Sequence, residues 1–208
     1  MPVTDPRSVK VGVLLDRQPV ELGEWLADAR AFEAAGAAAL WVDPAAGSDL
    51  DPFALLAALA ALTAQALLVT ELPAPGGPPG ALGRTLATIA GLSRGRLTLL
   101  AEPERLGELD ALAPGCGAFR RLPGTPAAFE LVRPRGEEAA GQPGEGEAPE
   151  RWAQASSPES RAAWRAALAD AAAGGAAGLL VPAGPRLLDI LRHPDDPEGR
   201  QDLQLAQG

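Results

Sequence analysis

Short, almost wholly apolar runs alternate with longer stretches whose apolar residues return every three or four positions. The runs Val9–Leu15, Ala39–Val42, Ala66–Thr70 and Leu97–Ala101 predict strands. Between them, Glu21–Ala35 carries Leu22, Trp25, Leu26, Ala29, Phe32 and Ala35 at the spacing of one helical face. Gly36 follows as a left-handed stop. Asp51 and Pro52 open a second helix to about Leu62, a capping carboxylate followed by a proline at the first helical position. Leu82–Leu92 is a third, turned by Gly95. Strands apolar on both faces belong in a parallel sheet with helices on its surfaces, so the chain reads as α/β.

After Ala101 the rhythm thins. Glu104–Leu112 predicts a short helix and Ala127–Val132 a strand. The stretch from about 133 to 150 is rich in Gly, Pro and Glu with little to bury, and predicts a mobile acidic loop. A helix is expected from Pro158, with Ser157 as its cap, ending at Gly174-Gly175. A strand over Gly178–Val181 and a helix over Pro185–Leu191 follow. The turns at Gly36 and Gly175 read as one helix-to-strand solution used twice.

Composition narrows the class. With 208 residues the chain is expected to form a single domain over 1–208. Only four Phe, four Trp and no Tyr are available to fill a core otherwise rich in Ala. A net charge of −9 disfavours nucleic acid and anionic membrane as partners. One Cys and one His argue against a disulfide framework and a His/Cys metal site. The start of the chain lacks the basic, apolar and small-residue succession of a secretion signal, so the expected compartment is the cytoplasm.

In wording and order, Lys10–Leu15, Phe32–Val42, Asp51–Thr70 and Arg84–Leu100 resemble the luciferase-like monooxygenases, flavin- or deazaflavin-dependent TIM-barrel enzymes. Trp164–Arg192 is similar to the closing units of such proteins. The resemblance implies a (β/α)8 TIM-like barrel, here shortened or incomplete, with room for six or seven strands. It implies FMN or deazaflavin (F420) as cofactor, and a flavin as small-molecule partner. The chain also departs from the family. No His follows the second strand, where the loop is Asp43-Pro-Ala-Ala-Gly-Ser48, and Ala101-Glu-Pro-Glu104 replaces a Gly-rich turn. Two readings follow: a flavin- or deazaflavin-dependent oxidoreductase or monooxygenase, and a non-catalytic flavin-binding or partner-subunit member of the same family.

In such a barrel chemistry sits at the carboxyl ends of the strands. The candidate rim is then Asp16, Asp43, Thr70, Glu71, Glu102 and Pro182-Ala183-Gly184. The resemblance implies that Thr70 and Glu71 line the flavin ring; the plain alternative is a strand end entering a Pro-rich loop. Asp16, Asp43 and Glu102 form either an acid–base carboxylate cluster or ordinary caps and solvated charges. Gly184, before Pro185 and Arg186, is placed to meet a phosphate at a helix start.

No catalytic residue is assigned. His193 reads as an exposed helix-end residue and Cys116 as an incidental thiol in a loop. Trp25, Trp41 and Trp164 read as packing residues. An incomplete barrel would expose strand edges, which predicts a homodimer or a heterodimer with a related barrel.

Overall fold

The computed structural model describes residues 9–16, 20–43, 49–76, 80–124, 126–133, 149–194 and 196. The strands are β1 (Lys10–Leu15), β2 (Ala39–Val42), β3 (Leu67–Glu71), β4 (Leu97–Ala101), β5 (Gly117–Leu122), β6 (Ala128–Arg133), β7 (Glu150–Gln154) and β8 (Gly178–Pro182). The helices are α1 (Leu22–Ala34), α2 (Pro52–Leu62), α3 (Ala81–Leu92), α4 (Leu106–Leu112), α5 (Arg161–Ala173) and α6 (Pro185–Arg192). A 3-10 turn, Pro103–Arg105, leads into α4.

The strands close into one barrel in the order β1 to β8, with β8 returning to β1. This is a shortened TIM-like barrel, and it is closed. Neighbours run parallel except β6, which is antiparallel to both β5 and β7. Eight strands stand where the sequence predicts six or seven, because β5 and β7 are interrupted by charged and polar residues and lack a continuous apolar run. A three-strand meander, with no described helix between its members, takes the place of βα units. Closure also removes the free strand edges on which the expected dimer rested. The proposed acidic loop lies outside the described residues, apart from Arg133 in β6 and Pro149–Glu150 at the start of β7.

Alternate residues along each strand divide two apolar layers. Val13, Leu15, Leu40, Val42, Leu68, Leu97 and Leu99 face outward and join the helices in the larger core. Ala39, Trp41, Val69, Leu100, Phe119, Phe129, Trp152 and Leu180 fill the barrel itself. Trp41 is the hub of the upper filling, with ring centroids 5.0 Å from Phe119 and 4.9 Å from Phe129. Lower down, Trp152 lies against Gly12 and Gly178, and a Cβ at Gly12 would stand 2.7 Å from its Cζ3.

Helix ends follow local chemistry. The Asp51 carboxylate accepts from the amides of Phe53 (2.7 Å) and Ala54 (3.2 Å). Ser160, not Ser157, caps α5, accepting from Ala163 N at 3.0 Å. Pro158 precedes the helix by a turn, so the capping position falls on the next serine. After α1, Ala37 N reaches Phe32 O and Gly36 N reaches Glu33 O; after α5, Ala176 N reaches Ala171 O and Gly175 N reaches Ala172 O. Both are the same left-handed stop. α3 repeats it with Arg94 in the left-handed place, at φ 54°. No described helix is long and apolar enough to cross a membrane.

Candidate functional site

Because the first four strands run parallel, their carboxyl ends gather on one face. Asp16, Asp43, Glu71 and Glu102 each stand at or just past a strand end, in register with the inward-facing residues below them. Four successive carboxylates therefore ring half of the barrel mouth. Residue Arg121, on β5, was not among the sequence candidates. Its Nη2 lies 3.5 Å from Glu71 Oε2 and its Nε 3.5 Å from Glu102 Oε1. Phe129 is its cross-strand neighbour on β6, and the guanidinium carbon stands 5.6 Å from that ring's centroid.

The structure thus joins Glu71 with Glu102 through a cation. Thr70 is buried and belongs to the outward-facing series with Leu68; its hydroxyl donates to Val42 O at 3.4 Å. The Thr70 side chain therefore faces away from the barrel interior, and Glu71 carries the side chain on the inward-facing series.

On the far side of the same face, the residues after β7 and β8 form an open pocket of about 420 Å³ lined by Ser157, Glu159, Gly184, Arg186 and Leu187 among others. Gly184 precedes α6, and no side chain caps that helix. The first turn-closing bond of α6 is Leu188 N to Gly184 O, so Arg186 and Leu187 have no helical acceptor for their amides, and Pro185 has no amide proton. The Arg186 guanidinium is tied to the carbonyl of Glu159. This pairs the two loops that bound the cavity.

The opposite, amino-end face is built for structure. Glu33 accepts the amides of Ala64 (3.0 Å), Gln65 (2.8 Å) and Ala66 (2.9 Å), pinning the turn from α2 to β3. Partial burial works against its charge, but those amides and the nearby Arg96 charge outweigh it and hold the carboxyl below its usual range. Arg96 is buried and donates to Ser93 O, Thr63 Oγ1, Ala66 O, Ala60 O and Thr63 O. A cavity of about 640 Å³ opens beside this knot, lined by Arg30, Glu33 and Gln65 among others, with Glu33 already committed to the turn.

His193 ends α6 and is exposed; α6 runs away from the mouth, so the imidazole lies toward the other face. Cys116 is buried in the outer core rather than placed in an open loop, because the chain enters β5 immediately after it. Among the described residues no three His, Cys, Asp or Glu side chains are grouped to hold a metal ion.

No family model and no curated protein matches the chain. Solved structures similar to part of it include two enzymes. A riboflavin lyase, solved with modified FMN and the substrate riboflavin, is 21% identical over 45% of this chain and 29% of its own, with a TM-score of 0.38. An EDTA monooxygenase from Chelativorans sp. BNC1 is 17% identical over 46% of this chain and 29% of its own, also with a TM-score of 0.38. The match thus spans less than a third of either protein's length.

Proposed function

We propose that this chain is a luciferase-like, flavin- or deazaflavin-dependent oxidoreductase whose cofactor lies across the carboxyl-end face of the barrel. One observation carries the reading. The closed barrel puts Glu71, at the end of β3, and the Gly184–Arg186 turn, after β8, on the same face. The sequence resemblance implies the flavin ring beside the first of these, and helix-terminus chemistry favours a phosphate at the second.

The residues present fit a phosphate-bearing group. The unbonded amides of Arg186 and Leu187 and the positive end of α6 favour an anion beside the 420 Å³ cavity. Gly184 leaves that approach open, with nothing within 4 Å of where a Cβ would stand. The barrel interior is filled by Trp41, Phe119, Phe129 and Trp152, so a ring belongs on the rim and not within the barrel. A bound flavin supplies two-electron transfer. The chain supplies the anion-binding turn, the apolar floor beneath the mouth and the charges of Glu71, Glu102 and Arg121.

A second reading, a flavin-binding member or partner subunit without turnover, is favoured by the state of the mouth. Arg121, Glu71 and Glu102 are paired with one another, and the chain's one histidine is on α6's far end. A cytoplasmic location and a homodimer, or a heterodimer with a related barrel, complete the proposal; light scattering of the purified protein reads the assembly.

Titration with FMN and with F420, each oxidised and reduced, separates the readings. Binding, with oxidation of the bound reduced form by dioxygen or another two-electron acceptor faster than that of the free cofactor, supports the enzyme. Tight binding with no turnover supports the second reading. If neither cofactor binds in any state, both are wrong.

A further inference from the structure

We draw no further inference here: the strongest candidate, the outward surface patch of α2, where Ala54, Ala61 and Leu62 lie exposed on a helix that carries no polar side chain, is an apolar face for which nothing in the structure shows what covers it.

Discussion

Trp152 is built against Gly178: the two are cross-strand partners on β7 and β8, and a Cβ on Gly178 would fall within the indole. Gly12, one strand further on, faces the same ring from β1. The indole N–H donates to Glu150 Oε1 at 2.9 Å, and Glu150 in turn pairs with Lys10 Nζ at 3.0 Å. One aromatic side chain therefore ties together three neighbouring strands at the amino end of the barrel. Gly178→Ala is expected to cost about 3 kcal/mol by overpacking. Trp152→Phe in the same background should recover part of it, since the two sites share one space. Urea unfolding of the four proteins in that cycle measures both effects, and a Gly178→Ala variant as stable as wild type would contradict the packing.

Glu33 sets an acid limit on stability. Its folded-state carboxyl is held below its ordinary value, so its contribution is complete above the unfolded value of about 4.3 and fades as pH falls through the lower folded one. Thermal midpoints measured from pH 7 to about pH 3 should drop on the acid side for wild type. Glu33→Gln should lower the neutral midpoint by the equivalent of about 1–2 kcal/mol and flatten the acid limb. Parallel acid limbs in the two proteins would show that Glu33 is not the group responsible.

Arg96 uses all five of its guanidinium protons on oxygens of α2, the turn after it and the end of α3. A lysine carries three donors from one point and cannot span those oxygens. Arg96→Lys is expected to destabilise by about 2–4 kcal/mol, because several buried carbonyls lose their donors at once. Chemical unfolding gives the number. Loss below about 1 kcal/mol would mean water replaces the guanidinium without penalty.

The three left-handed helix stops separate backbone strain from packing. Nothing lies within 4 Å of a Cβ placed on Gly36 or Gly175, so alanine there meets only the cost of its positive φ. Each substitution should destabilise by about 1–2 kcal/mol. Arg94→Gly should do the reverse, by about 0.5–1 kcal/mol, since Arg94 already pays that cost at φ 54°. Differential scanning calorimetry resolves the opposite signs, and equal signs would refute the account.

The first half of the barrel could be read because β1–β4 are short, largely apolar runs, and β2 and β4 each follow a left-handed helix stop. β2 and β4 match the expected bounds, Ala39–Val42 and Leu97–Ala101, residue for residue. β5 and β7 could not be read in that way. Arg120 and Arg121 interrupt β5, and Glu150, Arg151 and Gln154 surround the one large apolar residue of β7. β5 passes from buried Gly117-Ala118-Phe119 into half-buried arginines, and β7 sets its one buried residue, Trp152, among exposed and half-buried ones, so neither forms a continuous apolar run. The alternation in Phe129-Glu130-Leu131 and Arg151-Trp152-Ala153 was the available signal. Missing β5 also meant missing Arg121, since a rim residue is recognised only once its strand is known. Glu71 and Gly184 were found because they follow strands that were legible.

The reversal of β6 decides where the chain can be lengthened. Travelling down from the mouth, β6 delivers Arg133 to the amino-end face, and β7 departs from that same face at Glu150. Whatever joins those two residues is moored on the underside, a full strand's length from Glu71, Arg121 and Gly184. Both anchor points of a reporter peptide grafted between them therefore lie on the side of the barrel away from the proposed ligand entrance.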